Sequence, residues 1–421
     1  MMRSMFSGVA GLRNHQVRMD VIGNNIANVN TVGYKKSRVT FQDMLSQTIR
    51  GASAPQGGLG GSNPQQVGLG MTINSIDTIH TQGSSETTGK VTDMMVDGDG
   101  FFIVGNGTNT YYTRAGNFDF DSVGNLVNAS GLMVKGWTVN SATGLIDTTQ
   151  PITGIQIPKG QAIEPKATTN STFIGNLNAS ATTGTTVDAP LTIYDSLGRA
   201  WNMNIRFTKN AAANTWDVSL NNAPASGWAP AIQMTAGSQV IFNADGSFNS
   251  VLPAGGIEIF GTPTGANAFT AGTASAVDVT LTGLTQFAVD SNVMLNEQNG
   301  YSSGVLNGYS VDKSGVITGR FSNGLTKQLA QVALANFNNP GGLTKAGENL
   351  YTASNNSGQP DVGAAGSGGR GDIAPGKLEM SNVDLSQEFT DMIITQRGFQ
   401  ANSRIITVSD EMLQELVNLK R

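Results

Sequence analysis

Chemistry needs nucleophiles, metal ligands or paired acids, and this chain has few of them. It holds two histidines, His15 and His80, and no cysteine among 421 residues. That excludes thiol chemistry, disulfides and Cys/His zinc sites, and leaves a Ser-His-Asp triad only two places to start. Asp97-Gly98-Asp99-Gly100 and Asn243-Ala244-Asp245-Gly246 resemble pieces of a calcium loop, but neither has the alternating oxygen ligands and closing Glu, so both read as turns. Gly58-Leu59-Gly60 and Gly68-Leu69-Gly70 have no third glycine in register and no following helix, which argues against a dinucleotide loop. Arg370-Gly371-Asp372 spells an integrin-type tripeptide inside a Gly-rich stretch where such triplets arise easily. No segment concentrates carboxylates with aromatics as a sugar cleft would. No catalytic residue, cofactor or metal is expected.

Composition narrows the class further. Charged residues make up 13%, about half the usual quarter, and the net charge is −5. Such a chain has no basic field for nucleic acid and no polybasic face for a membrane. Nowhere do about 18 apolar residues run together, so no membrane insertion is expected. The segment after Arg3 is too broken by Gly and Ser for the apolar core of a cleaved signal peptide.

The elements that must carry any function are set out by proline. None occurs before Pro55 or after Pro375, and all 13 lie between, so both ends can be uninterrupted helices. A 3-4 spacing gives an N-terminal seam of Met2, Met5, Val9, Leu12, Gln16, Met19, Gly23 and Ile26. The C-terminal one is Leu385, Phe389, Met392, Gln396, Phe399, Ser403, Ile406, Asp410, Leu413 and Val417. Residues 1–50 carry seven basic and two acidic groups, net +5, whereas 377–421 carry five basic and seven acidic groups, net −2. Opposite signs favour packing of one end on the other.

Inside each helical arm lies a stretch with seven Gly and two Pro, Gly51–Gly70 and Ser354–Gly376, read as flexible connectors. The body is β. Alternation at Trp201-Met203-Ile205-Phe207 and Trp216-Val218-Leu220 gives strands with one apolar face. Asn-Gly pairs at 106–107, 299–300, 307–308 and 323–324 are hairpin signals, and Asp-x-x-Gly recurs at Asp121 and Asp312 as a turn. Residues 141–300 hold only 15 charges in 160 and three of the four Trp (Trp201, Trp216 and Trp228), read as core anchors of a separate β domain. The expected fold is mainly β with α-helical termini, the terminal helices pairing as a coiled coil around nested, discontinuous β domains. The expected division is a helical domain of 1–32 and 377–421, linkers at 33–70 and 354–376, an inner β domain of 71–145 and 286–353, and an inserted outer β domain of 146–285.

The most informative segments flank the helices. Asp20-Val21-Ile22-Gly23-Asn24-Asn25-Ile26-Ala27-Asn28 through Gly33-Tyr34-Lys35 crowds asparagines at a helix end, and Ser381-Asn382-Val383-Asp384 supplies cap residues at a helix start. These segments, with Met392 through Gln396-Arg397-Gly398-Phe399 to Asn402, resemble the signatures of the bacterial flagellar rod and hook axial proteins. The resemblance continues at Val96–Phe102, Tyr112–Phe118 and Leu334–Phe337 to Gly347–Tyr351. Within that family the inserted stretch, with Ile193-Tyr194-Asp195-Ser196-Leu197-Gly198, is similar to hook members. Distal rod members are expected to lack it, although the long 47–70 segment resembles an insertion of theirs.

The resemblance implies a structural subunit of the flagellar hook, not an enzyme: a curved, hollow helical homopolymer acting as a flexible joint that carries torque from rod to filament. It implies terminal helices lining the tube, with subunit-interface residues Met5, Val9, Leu12, Met19, Ile26, Leu385, Phe389, Met392, Phe399, Ile406, Leu413 and Val417. It implies partners in the rod protein below, the hook-filament junction protein above, and the hook cap protein and flagellar export apparatus during assembly. Location would be the hook of the flagellum, extracellular after export without a cleaved signal. A secreted β-rich adhesin would share the Gly, Thr and Asn content but would need neither terminal motif.

Overall fold

The computed structural model describes residues 2–55, 60–107, 109–140, 144–221, 232–260 and 276–419. Trp228 lies outside them. Both ends are helical, α1 spanning Met2–Ala27 and α2 spanning Leu385–Asn418, and the regular structure between them is almost all strand. The asparagines end α1 as their chemistry dictates: the Asn28 backbone N–H and its side-chain amide both donate to the Asn24 carbonyl, at 3.2 and 2.9 Å. Asp384 caps α2, its Oδ1 accepting from the backbone N–H of Ser386 (2.9 Å) and Gln387 (3.3 Å). No described helix is long and apolar enough to cross a membrane.

The chain divides into two compact units, one of Met1–Lys159, Tyr309–Thr318 and Lys327–Arg421, which includes both helices, the other of Gly160–Gly308 and Gly319–Thr326. The second unit is a β-sandwich. One five-stranded sheet is centred on Asn170–Asn176 and Val277–Thr285, the other on Ala200–Lys209 and Thr215–Asn221. Their inner faces share one core: Phe173, Val277 and Leu281 from the first, Met203, Ile205, Phe207, Trp216 and Val240 from the second. Trp216 is fully buried there and Trp201 is half-buried against it. The unit reaches further along the chain than the expected 146–285. Met294–Gln298 pairs with Asn170–Asn176 (Thr172 opposite Glu297), so backbone hydrogen bonding places 294–298 in the sandwich, and the unit runs on to Gly308.

In the first unit, β1 (Ser37–Asp43) pairs antiparallel with β4 (Met71–Thr78), while β2 (Ser46–Arg50) and β3 (Gln65–Gly68) pair only with each other. After β5 (Ser85–Thr87) and β6 (Met94–Asp97), β7 (Phe101–Asn106) and β8 (Asn109–Thr113) form a hairpin turning at Asn106-Gly107, where Gly107 has φ +78°. Residues 101–105 are buried, with Met133–Thr138 and Leu334–Ala335 also hydrogen-bonded to β7. Phe101, Ile103, Tyr112, Trp137, Ala333, Phe337 and Tyr351 form the core around them.

Two expectations change here. The Gly-rich 354–376 segment is built into sheets: Asp361–Ala364 pairs with Ala333–Asn336, and Asp372–Pro375 pairs with β6. Of 33–70, residues 37–43 are likewise strand. Low side-chain burial did not matter, because strand pairing uses backbone groups that glycine possesses in full. Two of the four Asn-Gly pairs are not turns: Asn307-Gly308 lies inside the strand Gly304–Val311, and neither Gly308 nor Gly300 has the positive φ that a type I′ turn requires. The Asp-x-x-Gly turns share one device, an Asp Oδ1 that accepts backbone N–H groups further along the turn. Asp121 takes Val123 and Asn125 (2.9 and 2.8 Å), Asp195 takes Leu197 and Arg199 (both 2.9 Å), and Asp312 takes Val316 (2.9 Å).

Because the sandwich closes its own core, residues 160–326 expressed alone are expected to fold. Tryptophan fluorescence should show one cooperative unfolding transition; a gradual, non-cooperative change would contradict the independence of this unit.

Candidate assembly site

The chain's two ends meet at a buried carboxylate. Glu379, in the strand Lys377–Glu379 just before α2, is 0% exposed, as is Lys35, just after α1. Lys35 Nζ donates to Glu379 Oε1 at 2.6 Å and to the Thr81 carbonyl at 2.7 Å, while the Gly83 N–H donates to the same Oε1 at 2.9 Å. Arg114 stands on the other side, its Nη1 3.5 Å from Glu379 Oε2 and 2.8 Å from the Gly98 carbonyl, with its guanidinium 5.1 Å from the Phe101 ring centre. Burial pulls both cations below their usual pKa, and Glu379 opposes that pull. His80 packs on Phe101 and Tyr351, at 5.6 and 5.5 Å between rings. Burial first, and then Lys35, Arg114 and Lys345, lower its pKa to about 4, so His80 is neutral. Burial raises the Tyr351 hydroxyl. The site therefore holds two cations, one carboxylate and a neutral imidazole, packed out of water.

Around this centre the terminal motifs act as brackets. Asn25, buried on α1, donates from Nδ2 to the Ser37 carbonyl (2.8 Å) and to Glu388 Oε2 (3.1 Å), and its Oδ1 accepts from the Ser37 N–H (3.0 Å) and the Tyr34 hydroxyl (3.2 Å). One side chain thus joins α1, β1 and α2. Asn382 does the same from the other end: its Oδ1 accepts from the Lys36 N–H at 2.8 Å, and its Nδ2 donates to the Ile79 carbonyl at 2.9 Å. Gly33, at φ +68°, passes so close to the 114–115 backbone that an added Cβ would lie 2.5 Å from the Ala115 nitrogen, and its N–H donates to the Glu379 carbonyl. Ser381 is buried and Val383 half-buried beside it. The remaining motif residues, Asp20, Gly23, Asn24, Ala27, Gln396 and Arg397, are exposed on the helices.

The helices pair antiparallel, but one residue away from the expected seam. Inside lie Gly8, Gly11, Asn14, Ile22 and Asn25 of α1 and Glu388, Thr395 and Ser409 of α2. A Cβ on Gly11 would sit 2.6 Å from the Asn402 amide and one on Gly398 3.0 Å from the His15 ring, so the contact depends on those glycines. Arg18 Nη2 meets Asp391 at 3.0 Å. Of the expected seam, Met5, Leu12, Met19, Ile26, Met392, Ile406 and Leu413 are half-buried at its margin, while Val9, Leu385, Phe389, Phe399 and Val417 are exposed, Val417 by 68%. The physical reason is closeness: small and polar side chains let two backbones approach, and the large apolar ones are displaced outward. Sequence reasoning missed Glu379, which stood alone before its motif with no periodic signal, and Arg114, which lay unremarked inside the Tyr112–Phe118 segment. The Arg370 side chain of the integrin-type triplet is folded onto its own loop, Nη1 donating to Asp361 Oδ2 at 2.8 Å.

Comparison with known proteins converges on one family. Descriptions of the flagella basal body rod protein match residues 5–35, the flagellar hook protein FlgE/F/G D1 domain residues 95–177, the flagellar basal body protein FlaE D2 domain residues 161–301, and the flagellar basal body rod FlgEFG protein C-terminal residues 374–419. The flagellar hook protein FlgE of Borreliella burgdorferi is 44% identical over 100% of both chains, and that of Treponema pallidum 41% identical over 100% of both. The chain belongs to the flagellar hook protein family. As a member it is a structural subunit of the hook, in the flagellum. The flagellar basal-body rod protein FlgG of Bacillus subtilis is 34% identical over 100% of both chains, so the inserted β unit by itself does not separate hook from rod relatives. Both bracket motifs lie in or beside the matched terminal segments, while β2 and β3 fall outside every matched segment.

Two measurements check this geometry in the hook subunit. Glu379→Gln should destabilise the first unit by about 3–5 kcal/mol, because it leaves two buried cations without a counter-charge; denaturant unfolding reads the loss. The neutral His80 gives a pH test. The unfolded chain binds its proton near pH 6.5 and the folded chain only near 4, so stability is full above 6.5 and falls as pH drops from 6.5 towards 4, by about 3 kcal/mol in all. Replacing His80 with Phe should flatten that slope, and an unchanged slope would place its origin elsewhere.

Proposed function

We propose that the paired terminal helices form the wall of a hollow helical homopolymer, with the β units outside it, and that the polymer acts as a curved, flexible joint carrying torque from rod to filament. The observation behind this reading is the outward apolar face. With the intramolecular seam filled by glycine and polar groups, Leu385, Phe389, Ile393, Phe399, Ile405 and Val408 are each 37–51% exposed on α2, and Met2, Phe6 and Val9 51–66% on α1. A surface of that kind on both helices suits burial by neighbouring copies. Contacts between unlike patches that do not close produce open helical polymers. Met5, Leu12, Met19, Ile26, Met392, Ile406, Leu413 and Val417 contribute to the same interface from its edges and ends.

In this reading the partners are further copies, the rod protein below, the hook-filament junction protein above, and the hook cap protein and export apparatus during growth, with export needing no cleaved signal. A distal rod subunit is the second reading, favoured by the rod relative matched along both chains. Electron microscopy separates them, since a hook predicts curved tubes and a rod straight ones. Phe399→Asp adds a charge at a residue 37% exposed on the outer face. It should leave the monomer's unfolding midpoint unchanged and abolish tubes; normal tubes from this variant would remove the apolar face from the assembly.

A further inference from the structure

The two helices are unequal in length, and the excess of α2 is itself patterned. Gly11 lies against Asn402, His15 against Gly398 and Asn25 against Glu388. At that antiparallel register the start of α1 falls level with about Glu411, given 1.5 Å of rise per residue on both helices. The last two turns of α2, 412–418, run past the described start of α1, and among the described residues no helix lies beside them. Val408, Met412, Leu416 and Leu419 are 50, 46, 49 and 80% exposed and line a groove flanked by Glu411 and Glu415. These four recur at steps of 4, 4 and 3 residues, one stripe of a helix surface.

On α1 the face turned away from the seam carries Met2, Phe6, Val9 and Arg13, at steps of 4, 3 and 4. Arg13 is exposed, Arg3 is exposed at the edge of the same stripe, and no acid occurs in α1 before Asp20. We infer that the acidic-edged stripe at the end of α2 docks onto the basic-edged outer stripe of α1 on a second copy of the chain. This rests on the polymer reading above and names the surfaces it uses. The charges select this pairing over stripe against itself, since two α2 ends would bring Glu411 and Glu415 against their own kind. The pairing also joins unlike surfaces, so each copy keeps one of each free for the next, which is what an open polymer requires. A two-fold α2–α2 contact would instead close at a dimer.

Charge reversal in the full-length chain tests it. Glu411→Lys with Glu415→Lys should raise the concentration needed for polymerisation at least tenfold, as should Arg3→Glu with Arg13→Glu, and the chain carrying all four should recover the parent's value. Parent-like assembly of either pair, or no recovery in the combined chain, overturns the docking. A photo-activated cross-linker at Met412 of the parent, mixed with isotope-labelled chain, gives a readout that does not need tubes. Expected products join Met412 to residues 2–13 of another copy. Products with another copy's 408–419, with any other segment, or none at all, overturn the docking. A parent that cross-links as expected yet forms no tube refutes the polymer reading alone.

Discussion

Everything about how the two chain ends are arranged depends on one buried carboxylate. Glu379 binds Lys35 and faces Arg114, and these three residues come from the segment before α2, the segment after α1, and the strand region between them. A desolvated ion cluster is weak evidence of net stability, since removing charges from water costs several kcal/mol per ion. Its consequence is selection. An arrangement that shifts either terminal segment leaves at least one charge buried without a partner, so the cluster admits one register of chain start against chain end. The helices emerge from that fixed point side by side.

From there, the chemistry of the helix pair follows a division of labour between small and large side chains. Gly8, Gly11, Gly398 and the polar Asn14, Thr395 and Ser409 take the inside, where they permit close approach but bury little apolar surface. Neither helix is then strongly stabilised by the other, because most helical stability in proteins comes from burying an apolar face. Apart from Ile22, the large apolar residues are kept at the margin or outside. A helix pair held in register at its base, closely apposed but burying little apolar surface along its length, is well suited to being completed by neighbours.

The β units are built on a different principle. The sandwich closes its core internally, through alternating apolar residues and Asp-anchored turns, and the core around Phe101 is likewise lined by strand and loop residues, whereas the β1–β4 pair leans on α1. Glycine-rich segments that could bury little are nonetheless held by strand pairing, with Asp372–Pro375 laid along β6 and leading straight into Glu379. The backbone ladder thus delivers the carboxylate to its cations. The apolar cores of these units and the glycine and amide contact of the helical seam both follow from where apolar side chains were placed.

Features that depend on neighbours along the chain were legible before folding. Absence of proline at the ends, asparagines after Ala27 and Asp384 before Leu385 were enough for two helices and their limits. Period-two alternation was enough for the Ala200–Lys209 and Thr215–Asn221 strands, and the terminal motifs were enough for the family. Which of two adjacent stripes on each helix faces inward was settled by long-range packing. A heptad pattern reports where apolar residues lie, and it favours them as the seam. The chain instead closes its own pair on the glycine and amide stripe one residue earlier, because backbone approach and the Asn25 and Glu388 hydrogen bonds are satisfied only there. Likewise nothing local marked Glu379, Arg114 and Lys35 as one site. Their significance arises from desolvation and proximity across 344 positions of chain, and neither exists until the chain has folded.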